Sequence, residues 1–71
     1  MELHGDILDN LKHAIRSAAR LRGHQVHPET LQFWHDLLKH ARQERRRTDD
    51  HRRLMLEGLL EKLETEIAER G

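Results

Sequence analysis

Three stretches of this chain carry apolar residues at helical spacing, and two polar segments separate them. Apolar side chains that recur three and four positions apart lie on one face of an α-helix. The pattern therefore predicts an all-α fold, with helices over about 6–22, 29–47 and 49–70. We expect these helices to pack as a small three-helix bundle that forms a single domain over residues 1–71.

Length and cysteine content restrict how such a bundle can be stabilised. A chain of 71 residues buries only about 60% of its unfolded surface and is marginally stable. The sequence contains no cysteine, so disulfides and thiolate zinc sites are excluded. Tight helix packing or oligomerisation is the remaining route to stability. The lack of cysteine fits a reducing compartment, and we expect a cytoplasmic protein.

The first predicted helix has clear signals at both ends. Asp6 is a suitable N-cap residue, and Asp9 lies three positions further on. Gly23 follows two arginines and is a suitable stop signal. The apolar stripe of this helix consists of Ile7, Leu11, Ile15, Ala18 and Leu21.

The second predicted helix follows Pro28, which fits a first helical turn because its missing N–H is not needed there. Trp34 shares a stripe with Leu31, Leu38 and Ala41, and we assign it to the core. Phe33 and Leu37 form a second stripe, rotated from the first. That stripe faces either the first helix or a second chain.

Twelve residues without an apolar side chain separate Ala41 from Leu54. One interpretation is a break near Thr48, with arginines ending the second helix and Thr48 capping the third. The alternative is a continuous helix over about 29–70, because no glycine or proline interrupts 29–57. The apolar stripes on the two sides do not join in one strict heptad, and this favours the break.

The third predicted helix has an apolar face that is wider than one small neighbour can cover. We therefore expect a homodimer through the second and third helices, with affinity coming from burial of apolar side chains. Gly58 is expected to admit a close neighbour such as Trp34. The predicted interface consists of Phe33, Leu37, Met55, Leu56, Leu59, Leu60 and Leu63.

Arginines are concentrated around the break between the second and third helices. Residues 39–53 contain seven basic and three acidic groups, whereas 54–71 contain two basic and five acidic groups. Guanidinium groups suit phosphates and carboxylates. The cluster is therefore a solvated turn, a contact for an acidic protein or a contact for nucleic acid. Its members are Arg42, Arg45, Arg46, Arg47, Arg52 and Arg53.

Seven histidines are the other unusual feature of the composition. His24 and His27 lie in a predicted loop, and Asp9/His13 and Asp36/His40 have i, i+4 spacing. A stable metal site needs three or four converging ligands, and no motif brings them together. We therefore expect no metal and no cofactor. Metal-dependent or acid-dependent assembly is a further hypothesis, because histidines gain charge in acid. The remaining members are His4, His35 and His51.

Catalysis is not expected from this sequence. Cysteine and tyrosine are absent, Ser17 is the only serine, and no glycine-rich loop could hold a phosphate. The longest apolar run, Leu54-Met55-Leu56, is far too short to span a membrane. The predicted function is a small protein-binding module, such as an adaptor, inhibitor or regulatory subunit. The alternative is a nucleic-acid-associated regulator that contacts phosphates through the arginine cluster.

Overall fold

A computed structural model describes residues 5–70, in which three helices pack together. Helix α1 spans Ile7–Arg20, α2 spans Pro28–Arg45 and α3 spans Asp50–Arg70. The prediction of a small all-α three-helix bundle is confirmed. So is the break near Thr48, because α2 and α3 are separate helices. Within 5–70, none of the helices has both the length and the apolar character needed to cross a membrane.

The caps of α1 agree with the sequence signals at both ends. Asp6 is the N-cap residue, and its Oδ1 accepts a hydrogen bond from the amide of Leu8 at 3.1 Å. Helical geometry ends at Arg20, two residues earlier than predicted. Gly23 lies beyond the cap with φ +81°, a conformation that favours glycine because it has no Cβ. The chain therefore reverses direction at Gly23.

Helix α2 begins at Pro28, and His27 is its N-cap residue. The Nδ1 atom of His27 accepts a hydrogen bond from the amide of Glu29 at 3.1 Å. A histidine ring here does what a serine or aspartate side chain does at other helix starts. The cap therefore engages one of the two loop histidines in a structural contact.

The prediction that Thr48 caps α3 is wrong. Asp49 fills this role, because its Oδ1 accepts a hydrogen bond from the amide of Arg52 at 2.9 Å. The carbonyl of Asp49 also accepts from the amide of Arg53 at 2.9 Å. A carboxylate is well suited to this position because it also interacts favourably with the positive end of the helix dipole.

The core lies along the line where the three helices meet, and α3 contacts both of the others extensively. Trp34 is 2% exposed, so its assignment to the core is confirmed. Helix α3 has two neighbours, and together they cover Leu56, Leu60 and Leu63 of its wide apolar face. The buried apolar side chains are Leu8, Leu11, Ala14, Ala18, Trp34, Leu37, Leu38, Ala41, Leu56, Leu60 and Leu63.

Long-range ion pairs join α1 to α3 at both ends of the bundle. Asp6, before the first residue of α1, pairs with Arg52 in the first turn of α3. Arg22, just beyond α1, pairs with Glu66 near the end of α3. Because start meets start and end meets end, α1 and α3 run parallel. The returning helix α2 is antiparallel to both of them.

Candidate interaction surfaces

Four of the seven predicted interface residues lie inside the bundle. Leu37, Leu56 and Leu63 have no exposed surface, and Leu60 is 3% exposed. The expectation that they are available to a second chain is therefore corrected, because α1, α2 and α3 already cover them. The apolar surface that the bundle leaves uncovered is smaller than the sequence predicted. It is formed by residues other than these four leucines.

Within residues 5–70, the large apolar side chains that are exposed are Leu54, at 71%, and Met55, at 44%. Both lie near the start of α3. Phe33 and Leu59 are only partly buried and pack against the core. Leu54 was missing from the predicted interface, which included its neighbours Met55 and Leu56. Two residues correspond to about 200° of rotation on a helix, which places Leu54 opposite the buried Leu56.

Phe33 does not share a surface with Met55. Met55 precedes Lys62 by seven residues, and Lys62 lines a groove between α1 and α3. Phe33 precedes His40 by seven residues, and His40 lines a cleft between α2 and the start of α1. Residues seven apart share a helix face. Met55 therefore lies on the side of α3 that borders the groove, whereas Phe33 lies on the side of α2 that borders the cleft. The predicted interface is therefore split, and only its α3 part adjoins Leu54.

The arginine cluster also divides into two groups. Arg42 lies 3.5 Å from Glu64 on α3, and Arg52 pairs with Asp6. Arg53 donates from Nε to the carbonyl of Arg45 and from Nη2 to that of Thr48, each at 3.2 Å. The carbonyl of Arg45 lies at the C-terminal end of α2, where helices leave acceptors unsatisfied, and that of Thr48 lies in the turn before α3. The three arginines are therefore engaged in contacts within the bundle.

Arg45, Arg46 and Arg47 form the second group, which we call the arginine tip. All three are exposed, and none makes an ion pair with another residue in the range 5–70. They lie at the end of α2 and in the turn that leads to α3. Three adjacent exposed guanidinium groups can contact an anionic partner. Leu54 lies close to this tip along the chain, at the second turn of α3.

An open groove runs between α1 and α3, with a volume of about 590 Å³. Its apolar part includes Ile15 and Ala19, and charged side chains of α3 border it. Gly58 also lines it, and no atom lies within 4 Å of the position where a Cβ would stand. The prediction that Gly58 accommodates a close neighbour such as Trp34 is therefore wrong. Among residues 5–70, nothing occupies the space beside Gly58.

The most buried charged residue is Glu66, at 6% exposure. It accepts hydrogen bonds from Nε of Arg22 at 3.2 Å and from Nη1 of Arg70 at 3.3 Å. Arg22, and then Arg70, hold the pKa of this carboxyl below its ordinary value despite burial. The same contact with Glu66 raises the pKa of Arg22. Sequence reasoning missed this cluster because charged residues on short helices are normally exposed.

A similar but more exposed ion pair lies at the opposite end of the bundle. Arg52, and then the amide of Leu8, lower the pKa of the Asp6 carboxyl. The pKa of Arg52 is raised by its hydrogen bond to Asp6. A polar cleft of about 510 Å³ adjoins this pair and is also lined by His40, Glu44 and Arg47. The lining contains both signs of charge.

The histidines within residues 5–70 do not converge on a metal site. In the part of the chain that the structure describes, no group of three or more histidine, aspartate and glutamate side chains could hold an ion. His27 is engaged in capping α2. His13, His24, His35, His40 and His51 are exposed and separate, while His4 lies outside the described residues. This arrangement offers no ligand set for a metal.

Comparison of the chain with protein-family models, curated proteins and solved structures found no match. Assignment of a function therefore depends on the residues of this chain alone. The candidate surface is the outward face of the first half of α3, with Leu54, Met55 and Gly58, beside the arginine tip.

Proposed function

We propose that this protein is a small protein-binding module, such as an adaptor, inhibitor or regulatory subunit. The observation that carries the proposal is the 71% exposure of Leu54, with Met55 beside it at 44%. The other leucines of the described chain are buried or partly buried. Large apolar side chains grouped on a surface and bordered by charges are typical of protein contacts.

The arginine tip supports the same function. Arginine is enriched at protein interfaces because its guanidinium group binds carboxylates in a planar, bidentate geometry. Arg45, Arg46 and Arg47 make no ion pair within 5–70, so an acidic partner need not displace an internal contact. Apolar side chains would contribute affinity, and the arginines would orient the partner.

Site-specific photocrosslinking in the source cells tests this proposal. A photoreactive phenylalanine analogue replaces Leu54 in one variant and His13, an exposed residue of α1, in a control. We expect position 54 to form a protein adduct that position 13 does not form. An adduct with a second copy counts as protein binding. Absence of any protein adduct at position 54, with the variant folded, contradicts the proposal.

Nucleic-acid binding is the second candidate, favoured by the three arginines of the tip that have no ion pair in the described chain. If all three neutralise phosphates of a duplex, the logarithm of affinity should fall with the logarithm of salt with a slope of about −3. Replacement of Arg45, Arg46 and Arg47 by alanine should abolish that binding. The exposed Leu54 and Met55 have no role in phosphate contact, which is why protein binding is preferred.

A further inference from the structure

We infer that the partner of the outward α3 face is a second copy of this chain, paired antiparallel so that Leu54 of each copy packs on Gly58 of the other. This inference depends on the proposed protein-binding function and names the partner. It is drawn from the open space at Gly58, the exposed Leu54 and the unequal distribution of charge.

Leu54 and Gly58 complement each other in shape. They are four residues apart and therefore lie on the same face of α3. Leu54 projects into solvent, and the space beside Gly58 is open. The missing side chain lets another helix approach closely at this point. An isologous interface uses the same patch on both copies. Leu54 of each copy would therefore contact Gly58 of the other.

The pairing fixes the register between the two helices. A two-fold axis midway between Leu54 and Gly58 crosses α3 level with residue 56. The turn at Thr48 lies eight residues before this level, and Glu64 lies eight residues after it. Each interval spans about 12 Å along a helix. In an antiparallel pair, the turn of one copy therefore lies opposite Glu64 of the other.

Charges match in this register. The arginine tip adjoins Thr48, whereas Glu57, Glu61 and Glu64 are exposed along α3. Glu57 and Glu61 make no ion pair within 5–70. The two-fold axis is perpendicular to the plane that contains the two α3 helices. Helix α2 of each copy therefore lies on the same side of that plane. The tip therefore reaches the flank of α3 on which Glu64 contacts Arg42, and the attraction occurs twice.

Sedimentation of the purified full chain tests the inference. We expect self-association that depends on concentration and weakens with salt, because exposed charges are screened. Leu54→Ala should weaken it at least about tenfold, because two leucines lose contact in a symmetric pair. His13→Ala is the matched control on α1 and should change nothing. A wild-type chain that stays monomeric at about 0.5 mM overturns the inference.

Gly58→Ala separates association from folding. Alanine favours the helix, so thermal unfolding of the dilute protein should shift to higher temperature. The added methyl group occupies the space assigned to Leu54 of the partner, so association should weaken. Stabilisation without loss of association contradicts the proposed register.

Charge reversal gives the sharpest test. Arg46→Glu and Glu64→Lys should each reduce self-association, because like charges then face each other in both halves of the pair. Mixing the two variants places opposite charges together in both halves, so we expect a heterodimer of near wild-type affinity. Failure of the mixture to associate, while circular dichroism shows both variants folded, overturns the inference.

Failure of self-pairing is distinguishable from failure of protein binding. A monomeric chain that still forms a protein adduct from position 54 in cells would refute the second copy as partner and leave the proposed function intact. A monomeric chain without such an adduct would refute both.

Discussion

Arg70 lies over the indole ring of Trp34, with its guanidinium carbon 5.6 Å from the ring centroid. The same guanidinium contacts Glu66 and donates a hydrogen bond to the carbonyl of Ala18. The largest core side chain is therefore covered in part by a cation, in addition to the apolar residues of the core cluster. Nε of Arg70 is buried without a hydrogen-bond partner, so this cover carries an electrostatic cost.

The Glu66 cluster predicts a specific acid sensitivity. Its folded-state pKa is lowered by Arg22 and Arg70, so the stability it contributes is present at neutral pH. That contribution should disappear as pH falls from about 4.5, the ordinary value, through the folded-state pKa. Glu66→Gln should therefore be less stable than wild type at pH 7, and the difference should shrink in acid.

Urea unfolding at several pH values measures this difference. Glu57→Gln, at an exposed position of the same helix, is the matched control and should follow the wild type throughout. A constant difference between wild type and Glu66→Gln from pH 7 to pH 3 would show that the carboxylate charge is not responsible.

Arg53 should stabilise the junction between α2 and α3 through its hydrogen bonds to the carbonyls of Arg45 and Thr48. Arg53→Gln removes the guanidinium and should lower the free energy of unfolding by about 1 kcal/mol. Arg46→Gln removes an exposed arginine without such contacts and should change it by less than about 0.5 kcal/mol. Equal effects in chemical denaturation would refute the capping role.

The same substitution at two leucines of α3 should have very different effects on the free energy of unfolding. Leu60 is 3% exposed and Leu54 is 71% exposed. Leu60→Ala should cost about 2–5 kcal/mol because it leaves a cavity in the core. Leu54→Ala should leave the stability of the dilute chain nearly unchanged. Circular dichroism during thermal unfolding compares the two, and a large loss at Leu54 would contradict its exposed position.

Gly58→Ala should stabilise the isolated chain by about 0.5–1 kcal/mol. The position lies inside α3, and no atom is close enough to clash with the added methyl group. Calorimetry at low protein concentration measures this effect apart from any association. A lower unfolding temperature would mean that the added group meets a neighbour after all.

Local signals in the sequence predicted the fold well. Periodicity located three helices and the buried Trp34, and capping signals placed Asp6 at the start of α1. The width of the apolar face on α3 was also read correctly. How many neighbours cover such a face depends on the tertiary arrangement, and a single helix pattern does not contain that information.

The surface was harder to predict for related physical reasons. Glu66 is buried because Arg22, 44 residues away, lies beside it, and helical periodicity carries no signal for such pairs. Arg53 and Arg46 have the same side chain, yet only the guanidinium group of Arg53 contacts the end of α2. The exposure of Leu54 could have been found, because its angular position opposes that of Leu56.

The parallel arrangement of α1 and α3 has a consequence for synthesis on the ribosome. The first two helices emerge with Leu11, Trp34 and Leu37 facing a gap that only the last helix fills. The core of the described chain is therefore complete only when α3 is present beside α1 and α2. Chains truncated before α3 should expose these apolar side chains and be substrates for chaperones and proteases.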